Sequence, residues 1–361
     1  MHQPEFRDLT TGEFRHPWVY LHALKDYSDM AAHLEQHPGV KATINLVPVL
    51  LDQLEDYAQQ CASGTIRDPL LRALARESLD TLSEAERDWL LDQCFRANHT
   101  KMIEPFAPYL RLHALYHFAQ QHGPAPAQYL SGQYFADLVT WYHLSWTGET
   151  VRRAHEPVVR LMSQGESFTH AQRLELLSLI GAELSRVLGR YRRLAESGQV
   201  ELSSTPQYHP IGPLLLDFAC AREAMPDAPL PAASTYPGGR MRATWHLQHA
   251  IDSHRNRFGT APSGIWPAEG ALSMPFARLL AQHGVRWSAS GEAVLVNSLR
   301  KNKQVPEDRG AYLYRPYQLT CPEGALTCLF RDDRLSDLIG FEYKGWHGAD
   351  AATHFVAQLE Q

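Results

Sequence analysis

The stretch Gln199-Val200-Glu201-Leu202-Ser203-Ser204-Thr205-Pro206-Gln207-Tyr208-His209-Pro210-Ile211-Gly212-Pro213-Leu214 decides how this chain is read. Val200 to Ser204 has the makings of a short strand, with one carboxylate in an apolar and hydroxyl run. Pro206, Pro210 and Pro213 then exclude regular structure. Each fixes its own φ and removes a backbone donor, and each pushes the preceding residue out of the helical region. The result is a stiff loop that carries Tyr208 and His209. Barrels and open α/β sheets build their sites from strand ends and the loops that follow. Glu201 is therefore read as a carboxylate at the C-terminal end of a strand, and the rest of the chain as organised around it.

On the N-terminal side a long helix leads into this strand. Leu177, Ile180, Leu184, Val187, Leu188, Tyr191 and Leu194 form an apolar stripe within Thr169–Glu196, and Gly198 ends it. From Asp68 onward the chain is nearly all helical. Asp68-Pro69 reads as an N-cap with proline at the first helical position, and Ser83 with Glu86 as a capping box. Tyr109–Gln121 and Tyr134–Trp146 read as amphipathic helices. This block is an insertion over about residues 66–198. Before it come a helix over Tyr20–His37, a strand over Lys41–Pro48 and a helix over Leu50–Gln60.

On the C-terminal side the pattern alternates. A helix runs from about Arg240 to Phe258, a strand over Gly264–Pro267 and a helix over Met274–His283. Further strands are read over Val285–Ala289, Gly310–Tyr317 and Ala325–Arg331. Such alternation argues for an α/β fold with a parallel sheet or barrel, here one domain over residues 1–361. His2-Gln3-Pro4 resembles a site tripeptide without a strand before it. The chain stops at Leu359-Glu360-Gln361 as a helix is ending. A barrel truncated at both ends is the expectation.

The net charge is −6, from 34 basic and 40 acidic residues, with no basic stripe, so nucleic-acid binding is not indicated. Cys61, Cys94, Cys220, Cys321 and Cys328 are odd in number and form no C-x-x-C pair. They read as the reduced thiols of a cytoplasmic protein. No apolar run reaches membrane-spanning length, and Met1 to Phe6 does not resemble a signal peptide. The 19 histidines, 8 tryptophans and 15 tyrosines suit sugar rings, which have apolar faces and hydroxyl edges. They serve equally as core and interface filler. Phosphate-binding glycine loops and the G-x-S-x-G elbow are absent from the sequence.

Several polar groups fall at strand ends. Glu201 can act as a nucleophile on an anomeric carbon, with a second carboxyl about 5–5.5 Å away as the acid. Its alternative is a salt-bridged edge carboxylate. Trp266 can stack on a sugar and Glu269 can accept from hydroxyls. The plain alternatives are a buried indole and a dipole-favoured helix N-terminal carboxylate. Asn45 can shape the floor of a site or close a strand. His2 and His209 can bind a hydroxyl or a metal, or simply be hydrogen-bonded. Asp332 can point into a barrel mouth or pair with Arg331 or Arg334.

Together, His2-Gln3-Pro4, Asn45-Leu46-Val47-Pro48, Val200-Glu201 with Tyr208-His209-Pro210, and Gly264-Ile265-Trp266-Pro267-Ala268-Glu269-Gly270 resemble glycoside hydrolase family 57. The likeness is nearest its amylopullulanase and α-amylase branch, and it runs over essentially the whole chain. It implies an incomplete (β/α)7 barrel, α-1,4 or α-1,6 glucan substrates, a retaining mechanism and no metal or organic cofactor. It implies Glu201 as nucleophile, with His2, Gln3, Asn45, His209, Trp266 and Glu269 around the sugar.

The resemblance also exposes a departure. The family's general acid is an aspartate in a segment W-x-x-T-D-x-x-V-L. Here that segment is Trp287-Ser288-Ala289-Ser290-Gly291-Glu292-Ala293-Val294-Leu295, with Gly291 at the aspartate position. Glu292 can replace it only where the strand has ended or bulged, because adjacent strand residues face opposite ways. Three readings follow: a glycosidase or glucanotransferase of weakened activity, a non-catalytic glucan-binding protein, and a metal-dependent carbohydrate hydrolase using His2, His209 and a carboxylate.

Overall fold

Helix starts follow the local signals. The Asp68 carboxylate accepts from the Leu70 and Leu71 amides, and Pro69 opens the helix Pro69–Ala75. Ser83 and Glu86 make both bonds of a capping box at the head of Glu84–Cys94. Thr169 and Gln172 make another, which starts the 27-residue helix His170–Glu196. The helix Gly132–Trp146 departs from its reading as amphipathic: apart from Gln133, every one of its residues is buried. Two of its polar side chains bond to backbone carbonyls elsewhere, whereas the buried Trp146 indole nitrogen has no hydrogen-bond partner among the described residues. The Trp141 indole donates to the Gly165 carbonyl at 2.6 Å, and the Tyr134 hydroxyl to that of Leu112 at 2.7 Å.

The computed structural model describes residues 1–123, 125–303 and 305–360, so Gln361 lies outside them. The chain divides into two compact units. One takes in Met1–Ala42 and Val49–Val200, the other Thr43–Pro48 and Glu201–Gln361. The helices read as an insertion over 66–198 thus share their unit with residues 1–42 and 49–65. None of the described helices is long and apolar enough to cross a membrane.

The second unit is built on one six-stranded sheet. Its strands are β1 (Ala42–Leu46), β2 (Val200–Ser204), β3 (Gly264–Ile265), β4 (Trp287–Gly291), β5 (Tyr317–Cys321) and β6 (Gly324–Arg331), in the order β1-β2-β3-β4-β6-β5. β2, β3, β4 and β6 run parallel, which is the mixed α/β class that the sequence implies. One reading is corrected. Gly310–Tyr317 is not a strand: Gly310–Leu313 is a short helix, and the strand begins at Tyr317. Only Pro322 and Glu323 separate β5 from β6, and so short a connection forces an antiparallel pair.

Strand alternation gives the sheet two faces. Ile265, Leu326 and Cys328 point to one and pack on the helices Gly239–Phe258 and Met274–Gln282 through Leu247, Ile251, Phe276 and Leu280. The other face carries a groove of about 630 Å³ lined by Thr43, Glu201, Ser203, Trp266, Trp287 and Thr327. Gly264 is obligatory beneath it. A Cβ there would meet the Trp287 indole at 1.9 Å, so the indole lies across a position that only glycine can fill.

Candidate active site

The direction of the strands separates the candidate carboxylates. Glu201 is the second of the five residues of β2. It accepts a hydrogen bond from the indole nitrogen of Trp287 at 2.7 Å, and Trp287 is the first residue of β4. Gly291 closes β4 four residues later, roughly 13 Å along the strand at the usual rise. Glu201 therefore stands at the amino edge of the sheet, not at the carboxyl edge where the sequence reading put it. The physical reason is the turn at Gly198, which starts β2 at once. The strand then runs on through Ser203 and Ser204, whose buried hydroxyls donate to the Asn45 side-chain oxygen at 3.1 Å and the Leu46 carbonyl at 3.1 Å.

At the carboxyl edge a chain of hydrogen bonds ties three strand ends together. The Asn45 amide donates to the Thr205 hydroxyl at 2.9 Å, and that hydroxyl donates to the Trp266 carbonyl at 2.8 Å. Asn45 thereby works as a clamp between β1 and β2. Beyond it two loops meet. His209 takes a left-handed backbone (φ 56°), as do Glu269 (φ 55°) and Gly270 (φ 68°). For His209 and Glu269, which carry a Cβ, this conformation costs about 1–2 kcal/mol. Such strain persists where surrounding structure imposes it, and it gathers at functional sites. The two strained residues face each other, with His209 Nδ1 3.8 Å from Glu269 Oε1. Burial pushes the His209 imidazole below its ordinary pKa, against the pull of Glu269. The Ser290 hydroxyl donates to the Gly270 carbonyl at 2.6 Å and pins this loop to the end of β4.

Past Gly291 the chain turns at once into the helix Glu292–Lys301, so Glu292 leaves the strand alternation. Its carboxylate is taken by Arg309, whose Nε and Nη2 grip the two oxygens at 2.6 and 2.5 Å. The same guanidinium donates to Asp332 at 3.0 Å. Asp332 also accepts from the Tyr314 hydroxyl and from the Leu335 amide, where it caps a short helix. Arg309 holds the Asp332 carboxyl well below the usual carboxylate range, and Tyr314 and the Leu335 amide add to this against the opposing effect of burial. The partner of Asp332 is thus Arg309, not Arg331 or Arg334. Arg331 instead donates to Asp333 at 2.7 Å. Asp333 accepts from the Glu292 amide at 3.1 Å and lies over the vacant side-chain position of Gly291, 3.3 Å from where a Cβ would stand.

The structure thus gathers Asn45, Trp266, His209 and Glu269 at one edge, and Glu292 with Asp332 around Arg309. Glu201 lies toward the opposite edge of the sheet, and it lines the same groove as Asn45 and Trp266. His2 and Gln3 belong to the first unit, where His2 is exposed and Gln3 hydrogen-bonds Tyr27. Arg309 and Asp333 were not singled out from sequence. Arg309 sits in the polar run Glu307-Asp308-Arg309, which carries no periodicity to mark it. Among the described residues, no group of three or more His, Cys, Asp or Glu side chains is placed to hold a metal ion.

Fold and site describe an α/β protein with a strained carboxylate–histidine pair at the carboxyl edge of a mostly parallel sheet. The sequence matches the model of glycosyl hydrolase family 57 over residues 1–361, and the chain belongs to that family. Among solved structures it is similar to an α-amylase from Thermotoga maritima, at 13% identity and a TM-score of 0.44, covering 94% of this chain and 45% of that one. It is also similar to a family 57-type branching enzyme from Pyrococcus horikoshii, at 16% identity and a TM-score of 0.44, covering 96% and 47%. A branching enzyme from Thermococcus kodakaraensis, solved with glucose, shares 15% identity at a TM-score of 0.42, covering 96% and 48%. The chain spans about half the length of each. No curated protein matches the sequence.

Proposed function

We propose that the chain acts on α-glucans as a retaining glycoside hydrolase or glucanotransferase, with Glu269 rather than Glu201 as the nucleophile. The observation that carries this is the position of Glu269. It stands at the carboxyl edge, its side chain is 75% exposed, and His209 is its neighbour. Family membership supports the glucan substrate, and the indole of Trp266 at the same edge offers a face for a sugar ring. The five cysteines are free thiols, which fits a cytoplasmic location.

In this mechanism Glu269 attacks the anomeric carbon and the bond to the leaving oxygen breaks. A carboxylic acid then has to protonate that oxygen. Gly291 has no group to offer. Glu292 has both oxygens engaged by Arg309, and Asp332 is held by Arg309, Tyr314 and the Leu335 amide. Loss of a general acid lowers the rate by about 10²–10⁴. Substrates whose leaving group needs no proton escape that loss. α-Maltosyl fluoride should therefore be turned over faster than maltooligosaccharides. Glu269→Gln should abolish its turnover, and Glu201→Gln should leave it nearly intact. The reverse pattern would return the nucleophile to Glu201.

A second reading, a glucan-binding protein without turnover, is favoured by the same engaged carboxylates. Maltoheptaose binding with no release of fluoride from α-maltosyl fluoride would establish it.

A further inference from the structure

The helix Gly239–Phe258 turns Ala243, Leu247, Ala250 and Ile251 inward. By helical spacing its outer side should be polar, yet it carries Trp245, which is 43% exposed. The indole is held in place. The His249 ring lies over it, with centroids 3.8 Å apart and planes 30° from parallel. His249 Nδ1 donates to the Trp245 carbonyl at 2.9 Å, which fixes that ring and leaves its other nitrogen free of this bond. Tyr208, 49% exposed, lies 17° from parallel to the indole at 6.2 Å. His246 stands edge-on to both rings, at 5.0 Å from Trp245 and 6.0 Å from Tyr208. The Gln207 amide donates to the His246 carbonyl at 2.9 Å and anchors the Tyr208 loop to this helix.

Two near-parallel rings, each about half exposed and each braced by histidine, form a platform. Its place says what it is for. Tyr208 adjoins His209, and His209 faces Glu269 at 3.8 Å. A pyranose presents apolar C–H faces and a rim of hydroxyls. The ring faces suit the former, and the Tyr208 hydroxyl and the His249 imidazole suit the latter.

We propose that Tyr208 and Trp245 form an additional sugar subsite, which holds a glucosyl unit of the same chain that reaches Glu269. This rests on the α-glucan reading above. The occupant is a sugar of the substrate because the platform continues the candidate active site through consecutive residues.

The test measures maltoheptaose binding by calorimetry for the unaltered protein and for Trp245→Ala, Tyr208→Ala and Trp245→Phe, with thermal melting to confirm folding. The two alanine variants should bind about tenfold more weakly, and Trp245→Phe should recover most of the loss. Oxidation of exposed indoles by N-bromosuccinimide, mapped by mass spectrometry, needs no variant. Maltoheptaose should protect the peptide containing Trp245. Binding by the unaltered protein with no protection at Trp245, or with unchanged affinity in folded alanine variants, would overturn the subsite and leave the glucan reading standing. Absence of any maltoheptaose binding would overturn both. Protection that follows protein concentration instead of glucan would assign the patch to self-association and overturn the subsite.

Discussion

Replacing Gly291 by aspartate tests the chemistry most directly. The backbone accepts it, because Gly291 has φ −80° and ψ 158°, a conformation open to any residue. Space is tight but available: the new Cβ would meet Asp333 Oδ2 at 3.3 Å and Oδ1 at 3.4 Å. The difficulty is charge. Two carboxylates about 4 Å apart repel by about 4 kcal/mol at an effective dielectric constant near 20. Solvent and the Arg331 guanidinium on Asp333 offset part of this, leaving on the order of 1.5–3 kcal/mol, or about 1–2 pKa units. The pair should then titrate as one system that keeps a proton to higher pH than a lone aspartate. That proton is what the site lacks. Gly291→Asp should raise kcat/KM on maltooligosaccharides about 100-fold or more, read by release of reducing ends. A general acid works only when protonated, so activity falls as pH rises through its pKa. Adding Asp333→Asn removes the repulsion and should move that basic limb about one unit lower. No gain in a folded Gly291→Asp variant would refute the missing-acid argument. A basic limb that stays put in the double variant would refute the carboxylate pair.

Other outcomes follow from single contacts. Asp332→Asn should lower unfolding free energy by about 1–2 kcal/mol in urea titrations at pH 7, because Arg309 loses one of its two carboxylate partners while Glu292 and solvent still face it. The Asp332 carboxyl is depressed in the folded state. Its contribution is therefore full above the unfolded value near 4 and shrinks by about 1.4 kcal/mol for each pH unit below it, so the gap between variant and parent should narrow steadily below pH 4 and close only as pH falls through the depressed folded value. Gly264→Ala drives a methyl into the Trp287 indole, and the indole must leave Glu201. A loss of about 1–3 kcal/mol with a changed tryptophan emission is expected, and an unchanged spectrum would contradict the packing. Glu269→Gly relieves a left-handed backbone at an exposed side chain. It should stabilise the protein by about 0.5–1 kcal/mol while removing turnover of α-maltosyl fluoride, and a destabilised variant would show that Glu269 is held by packing.

What could be read from sequence was local. Asp68-Pro69 and Ser83 with Glu86 announce helices because a cap is made within four residues. β1, β2, β4 and β6 announce themselves by composition within a single strand. What stayed hidden was relational. Glu201 was recognised as a strand carboxylate, but which edge it occupied depended on where β2 begins, and that is set by the turn at Gly198. The Gly310–Tyr317 stretch reads as apolar and aromatic, yet the two-residue connection at Pro322-Glu323 decides the strand's start and direction. The fate of Glu292 and Asp332 depended on Arg309, which is 17 and 23 residues away in the chain and carries no pattern of its own. The family motifs brought Trp266, His209 and Glu269 into view together. Their arrangement came only from the order of the strands.

The division of the chain also bears on how it folds. β1 is made early, but its neighbour in the sheet, β2, begins more than 150 residues later. Joining two segments so far apart costs loop-closure entropy before any pairing rewards it. The helical unit removes that cost by closing on itself. At its two ends the Lys41 ammonium donates to the Gly198 carbonyl at 2.7 Å, and the Ala42 amide to that of Gln199 at 3.3 Å. Once those helices have packed, β1 and β2 leave the unit side by side, and the first pair of the sheet forms as cheaply as a hairpin. A lesion in the buried helix Gly132–Trp146 would then reach the candidate site without touching it, by delaying the moment at which Asn45 finds Ser203 and Thr205.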